Sequence, residues 1–400
     1  MKHEKIMLAF LLIAMVVNVP AIKAQLPLLE KTTIDGLCAG AISVVDFNAD
    51  GHVDIIFSGK KVTDLASNYN STYVYRGNGD GTFTLVEGDS DDGPVTYQNP
   101  VSEKELPDPT VIRGLDGRFY LYATESSSRN MPIMASKNLI DWEMITTVFT
   151  NETRPSFLSG GDLWAPDINY INGQYVMYYS LSKWGEEWAN GIGVATSSQP
   201  YTRFTDRGKL FTSSEIGVQN SIDPFYIEDN GKKYLFWGSF RGIYAIELSA
   251  DGLSVKQDAE KVRVAGTAYE GVYIHKRGQY YYFFASIGSC CEGVNSTYQL
   301  VVGRGESLLG PYFSRKGTNM INNGWHSVIG TNSTFVGNGH CSQILQDDAG
   351  NDWILYHGFK TTGTDGRQLM LDRIQWDAED WPYVEGGSPS ITSSGTVFNK

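Results

Sequence analysis

Basic clusters are missing from this chain: its 32 lysines and arginines are scattered among 45 acidic residues, for a net charge of -13. Nucleic acids and anionic membranes need a concentrated positive surface, so both are excluded as partners. Long apolar runs are scarce too. The stretch MLAFLLIAMVV, residues 7–17, is the longest, and it is too short to span a bilayer. Lys2, His3 and Lys5 precede it and Ala24 follows it. That is the pattern of a secretory signal, so residues 1–24 are expected to be removed and the rest exported to the periplasm, the cell surface or the medium. Cysteine is rare: Cys38, Cys290, Cys291 and Cys341 allow three pairings, and their spacing chooses none. Helical periodicity is nearly absent.

Aromatic residues are plentiful, with nine Trp, 23 Tyr and 18 Phe. Many of them sit in one phrase that recurs five times: a polar residue, a short apolar run, a turn with Gly or Asp, then an aromatic-rich strand. The copies are LPDPTVIRGLDGRFYLYAT (106–124), WAPDINYINGQYVMYYS (164–180), SIDPFYIEDNGKKYLFWGS (221–239), AYEGVYIHKRGQYYYFFAS (268–286) and GHCSQILQDDAGNDWILYHG (339–358). Each reads as a β-hairpin, with Asp116-Gly117, Asn172-Gly173 and Asn230-Gly231 supplying turn chemistry. Repeats at this spacing, each holding several strands, predict an all-β, five-bladed propeller. Strands such as QYYYFFAS lose polar alternation because neighbouring blades cover both faces.

The polar residues that lead the copies are Asp108, Asp167, Asp223, Glu270 and His340. A single Asp-Pro pair would do no more than cap a turn. Five leading residues at the axial starts of five blades meet in one channel instead. Carboxylates gathered in a water-filled pocket suit acid–base cleavage of an uncharged polymer. An inverting glycosidase needs one protonated carboxyl for the leaving oxygen and one ionised carboxylate to activate water. A third carboxylate beside the acid helps keep it protonated.

The motifs LPDPTVI, LWAPDI, NSIDPF, YEGVYI, SCCEGVNSTYQLVVGR and VGNGHCS, in this order between about Asn99 and Val384, resemble the family 43 glycoside hydrolases, in particular the arabinanases. The resemblance implies inverting cleavage of α-1,5-linked L-arabinofuranosyl chains; arabinan or its oligosaccharides are the expected partner, and a monomer is expected. The resemblance makes Asp108 the general base and Glu270 the general acid, with Asp223 tuning and orienting that acid. Trp164 becomes a sugar-stacking platform, Asn220 and Ser239 substrate contacts, and His340 a residue beside a channel calcium, held through water. Two positions depart from the pattern: Asn338 stands where a Pro is expected, and Arg241 where arabinanases often carry an aromatic. Asp167 inherits no catalytic role and is expected to support the channel or form an ion pair.

Ahead of the repeats, AISVVDFNADGHVD (41–54) places Asp46, Asn48, Asp50 and Asp54 at calcium-loop spacing, and GNGDGTF (77–83) follows. The segment resembles a single FG-GAP repeat, which implies a small calcium-loop β-repeat. Its expected extent, linker included, is 25–97, with GDSDDGPVTYQNP (88–100) as the acidic linker and 98–400 as the propeller. Two rival functions remain at this stage. One is an exo-acting arabinofuranosidase or β-xylosidase on the same scaffold, with segments 181–191 and 288–297 as candidates to close the cleft. The other is a carbohydrate-binding propeller without turnover.

Overall fold

The computed structural model describes residues 37–46, 51–61, 71–78, 83–88, 96–126, 129–363 and 366–398. The expected signal segment 1–24, Asn48 and Asp50 of the acidic loop, and residues 89–95 of the acidic linker lie outside the described residues. The chain divides into two compact units, Met1–Gly93 and Pro94–Lys400. Among the described residues no helix is long and apolar enough to cross a membrane.

The first unit contains one antiparallel sheet of four strands in chain order: Leu37–Val45, Asp54–Lys61, Ser71–Gly77 and Phe83–Gly88. Asp54 is buried, and its Oδ1 accepts the Gly77 N–H at 3.0 Å. Asp46 closes its own turn by accepting the Gly51 N–H at 3.0 Å. Among the described residues no group of three or more His, Cys, Asp or Glu side chains is placed to hold a metal ion.

The second unit is a five-bladed propeller. Blade one comprises Thr110–Arg113, Phe119–Tyr122, Pro132–Ser136 and Glu143–Thr147; blade two comprises Asp162–Ile171, Gln174–Ser182, Gly191–Ser197 and Thr205–Thr212. Blade three is Phe225–Asp229, Lys232–Trp237, Ile243–Glu247 and Val262–Ala265. Blade four is Glu270–Arg277, Tyr280–Ile287, Gln299–Gly305 and His326–Ile329. Blade five is built on Phe335–Gly339, Asp352–Lys360, Gln368–Trp376 and Pro382–Tyr383. The ring is closed by chain ends: Ser102–Glu105 pairs with Gln368–Trp376, and Thr96–Gln98 pairs with Thr392–Ser394. The unit therefore starts slightly before residue 98, because Thr96–Gln98 is hydrogen-bonded into it.

The aromatic second strands form the interior. Tyr281 to Ile287 are all buried, as are Val176 to Ser182. Each fully buried large apolar side chain contributes roughly 1.5–3 kcal/mol, so these runs set which faces of the blades meet. Rings cross the seams between blades: Phe149 on Tyr179 at 5.6 Å, Tyr178 stacked on Tyr226 at 5.7 Å, and Phe225 edge-on to Tyr273 at 5.4 Å.

At the axis, polar bonds link each blade to its neighbour. Ile168 N–H donates to Thr110 Oγ1 (3.2 Å), Asp223 N–H to Ser180 Oγ (2.9 Å), Gly271 N–H to Asp223 Oδ2 (3.1 Å), and His340 N–H to Ser286 Oγ (2.8 Å). The circle is completed by Asp108 N–H donating to His357 Nδ1 at 3.1 Å. The innermost strands share a second feature: each is accompanied by one left-handed residue, at or near the start of the strand in blades one to four and directly after Phe335–Gly339 in blade five. These are Asp108 (φ 52°), Ala165 (φ 42°), Asp223 (φ 58°), Gly271 (φ 59°) and His340 (φ 48°). The structural repeat is thus set by Ala165 and Gly271 rather than by Asp167 and Glu270, which lie two residues after and one before the equivalent positions. Gly271 is required there: a Cβ would come within 3.0 Å of the His340 ring, on a backbone that side chains adopt only at a cost.

Candidate active site

Asp108, Asp223, Glu270 and His340 come from blades one, three, four and five and converge on the axis, all within mutual electrostatic reach of the His340 imidazole. The three carboxylates are buried, with 7 %, 6 % and 8 % of their surface exposed respectively. Such burial opposes ionisation of each, so what surrounds each carboxylate decides its state.

Asp108 is surrounded by donors. Arg367 Nη1 lies 3.0 Å from its Oδ1, His340 Nδ1 lies 3.2 Å from the same oxygen, and Thr124 Oγ1 donates to Oδ2 at 2.5 Å. Thr124 is itself oriented, because its oxygen accepts the Ala165 N–H at 2.7 Å. Burial would raise the Asp108 pKa, but the Arg367 guanidinium and the His340 imidazolium outweigh it and hold this carboxyl well below the ordinary range. Asp108 is therefore the ionised member. Replacing Arg367 by Met removes its principal cation. Because a base works only when ionised, the acid limb of the pH–rate profile moves to higher pH; an unmoved limb would show that Arg367 does not hold the charge.

Glu270 has different surroundings. Ser239 Oγ donates to its Oε2 at 2.7 Å and Tyr298 hydrogen-bonds it. Burial raises its pKa, and repulsion from Asp108 adds to that. Burial also pushes Asp223 up, to about 7, with repulsion from Glu270 and Asp108 adding to it against the charge of His340. Asp223 Oδ2 grips the backbone N–H of Gly271, the residue after Glu270, and so fixes where that side chain starts. The arrangement holds one ionised carboxylate opposite a pair that favours retaining a proton.

His340 is raised to about 9: burial opposes its charge, but Asp108, Asp223 and Glu270 outweigh it. It is an imidazolium bound to Asp108 through Nδ1. Calcium prefers oxygen ligands, and one imidazole cannot hold it alone; the donor set here does not fit a directly coordinated ion. His357, in contrast, is pushed down to about 4 by burial. It is neutral, its Nδ1 accepts the Asp108 amide, and its ring stacks on Tyr298 at 5.6 Å with planes 6° apart.

The other sequence-predicted contacts are placed as follows. Trp164 is half-buried and meets Trp184 edge-on at 6.2 Å; Trp184 is 77 % exposed. Ser239 is occupied by Glu270. Asn220 accepts from Asn190 Nδ2 at 3.0 Å and donates to the Ser239 carbonyl at 3.2 Å, so it positions the backbone of the residue whose hydroxyl bonds Glu270. Asp167 accepts from Tyr226 N–H (2.7 Å) and Asn169 Nδ2 (2.8 Å); it ties blade two to blade three by hydrogen bonds and makes no ion pair among the described residues. Arg241 makes a two-point bond with Glu187, Nε to Oε2 at 2.9 Å and Nη2 to Oε1 at 2.8 Å. This clamps the segment that carries Trp184 and the 51 % exposed Trp188. Asn338 is buried and donates to the Gly330 carbonyl at 2.8 Å. Cys290 and Cys291 are bonded to each other, and Cys341 is a buried free thiol.

Thr124, Tyr298, His357 and Arg367 were not foreseen. His357 ends the fifth aromatic phrase, but a single His in a core strand carries no sign of function. Arg367 follows a Gly-rich turn with nothing to mark it.

Residues 97–382 match the family model described as Glycosyl hydrolases family 43. The chain belongs to glycosyl hydrolase family 43. Among curated members it is 32 % identical over 309 residues to the extracellular exo-α-(1→5)-L-arabinofuranosidase of Cellvibrio japonicus, covering 70 % of this chain and 86 % of that one. It is 28 % identical over 295 residues to the extracellular endo-α-(1→5)-L-arabinanase 1 of Bacillus subtilis, covering 70 % and 88 %. Among solved structures, the Cellvibrio cellulosa α-L-arabinanase complexed with arabinohexaose superposes with a TM-score of 0.65 at 29 % identity, over 72 % of this chain and 97 % of that one. This family 43 glycoside hydrolase thus shares its propeller with arabinanases, while its relatives divide between exo and endo action.

Proposed function

We propose that this family 43 hydrolase is exported and cleaves internal α-1,5-L-arabinofuranosyl linkages of arabinan with inversion. The observation that supports this best is the division of charge at the axis: Asp108 held ionised by Arg367 and His340, opposite a buried Glu270 whose pKa is raised. Asp108 draws the proton from a water as it attacks the anomeric carbon. Glu270, aimed by Ser239 and Tyr298, gives its proton to the departing oxygen. Asp223 keeps that proton on Glu270 until it is needed. Trp164, with the exposed Trp184 and Trp188 nearby in sequence, offers flat apolar faces for sugar rings.

Exo cleavage is the competing reading, favoured by the name of the Cellvibrio japonicus relative. Product sizing from linear arabinan separates the two. Endo action gives a ladder of oligosaccharides early in the reaction, whereas arabinose alone contradicts it. A chain that bound arabinan with no turnover would leave only the non-catalytic reading.

Calcium is proposed separately and as a structural ion only: one at the axis, reached from His340 through water, and one in the Asp46–Asp54 loop. No step of the reaction passes through either. Excess EDTA is expected to lower the Tm or the rate modestly; a melting curve and rate both unchanged by EDTA contradict both ions.

A further inference from the structure

Cys290 and Cys291 are neighbours in the chain and are bonded to each other, with their Cα atoms 3.8 Å apart. We propose that this disulfide is a positioning element for the general acid, which acts on Glu270 through Ser289 and Tyr298 and is opened by dithiol reductants. This rests on the reading of Glu270 as the acid.

Global stability does not account for the bridge. A disulfide stabilises a fold chiefly by restricting the unfolded chain, and one between neighbours encloses almost no chain. Its effect is therefore local. The pair lies in the turn between the second and third strands of blade four, Tyr280–Ile287 and Gln299–Gly305, beyond their last ladder pair, Ile287 with Gln299.

From there the path to the acid is short. The Ser289 carbonyl accepts the Thr297 N–H (3.1 Å) and the Tyr298 N–H (3.0 Å). That oxygen shares a rigid peptide plane with the Cα of Cys290, so a rotation at Cys290 turns it away from Tyr298. The disulfide resists this rotation by tying the Cys290 side chain to Cys291. Other bonds hold the rest of the turn: Ser289 N–H donates to Thr297 Oγ1 (3.0 Å) and Glu292 N–H to Ser296 Oγ (2.9 Å). Opening the bridge thus frees Cys290 and leaves the turn in place. The Tyr298 ring is buried and confined, since it stacks on His357 and a Cβ on Gly339 would come within 2.5 Å of it. What the backbone still sets is the reach of its hydroxyl toward Glu270, to which it is hydrogen-bonded.

The bridge is also accessible. Cys291 is exposed and Cys290 half-buried, whereas the free thiol of Cys341 is buried. A thiolate of the reductant attacks one sulfur and forms a mixed disulfide, which the second thiol of the reagent then resolves. The S–S bond breaks and each cysteine sulfur gains a proton. The two electrons come from the dithiol, which closes into its own disulfide.

The test assays the wild-type enzyme on linear arabinan before and after dithiothreitol, beside the double variant Cys290→Ser/Cys291→Ser. Both routes are expected to lower kcat about tenfold, the scale of one hydrogen bond, with KM and Tm unchanged. The reductant should have no effect on the double variant. On arabino-oligosaccharides carrying an activated phenol, which departs without a proton, the loss should vanish. A bridge that served structure alone would slow both substrates alike or lower the Tm, and either result overturns the proposal, as does an unchanged kcat in the double variant. Glu270→Gln separates the two readings. A slow Glu270→Gln beside a fast double variant overturns the role of the bridge alone, whereas Glu270→Gln at the wild-type rate overturns the acid and the proposal with it.

Discussion

Asp108→Asn and Glu270→Gln are each expected to lower kcat/KM on arabinan by roughly 10²–10⁴-fold, the usual contribution of a positioned acid or base, while leaving oligosaccharide binding measurable by calorimetry. Both replacements keep the shape of the side chain. Asparagine can still accept from Thr124, but it no longer carries the charge that Arg367 and His340 hold in place. Glutamine can still meet Ser239, but it has no proton to pass to the leaving oxygen. Wild-type rates in either variant would show that the chemistry lies elsewhere. Loss of binding together with rate would show that these residues hold the substrate rather than transform it.

Asp223→Asn is expected to cost about tenfold to a hundredfold in kcat/KM near neutrality and to shift the alkaline limb of the profile to lower pH. The sign follows from the role. A general acid works only while protonated, so activity persists below its pKa and is lost as pH rises through it. Burial raises the pKa of Glu270 and repulsion from Asp108 adds to it, while the charge of Glu270 raises Asp223 in turn; because like-charge repulsion is mutual, an ionised Asp223 is expected to oppose ionisation of Glu270. Replacing that charge with an amide lets Glu270 lose its proton at lower pH. Asparagine Oδ1 can still accept the Gly271 N–H, so a variant that loses rate but keeps the alkaline limb in place would assign Asp223 to geometry alone.

Much of this site is legible in the sequence because its carboxylates sit at the heads of strands whose aromatic content marks them. LPDP, IDP and YEG each precede a buried hairpin, and circular closure of the blades brings them together. The register of the repeat was harder to read. Asp167 appears equivalent to Asp108, yet the backbone equivalent is Ala165, and a left-handed alanine has no signature in its side chain. Residues that act through others were also hidden: Thr124, His357 and Arg367 matter because of what they touch, and those contacts join positions up to 259 residues apart. The pairing of adjacent Cys290 and Cys291 was one of several open possibilities. Arg241, noticed as a departure, gained its meaning only from Glu187, which lies 54 residues away.

The most direct test of the division of labour between Asp108 and Glu270 is the dependence of their variants on the leaving group. The measurement compares natural arabino-oligosaccharides with arabino-oligosaccharides carrying an activated phenol at the scissile bond. Glu270→Gln should regain most of its rate on the activated substrate, because that leaving group departs without a proton, whereas Asp108→Asn should stay slow on both. Equal impairment of Glu270→Gln on both substrates, or recovery by Asp108→Asn, would contradict the assignment of acid and base.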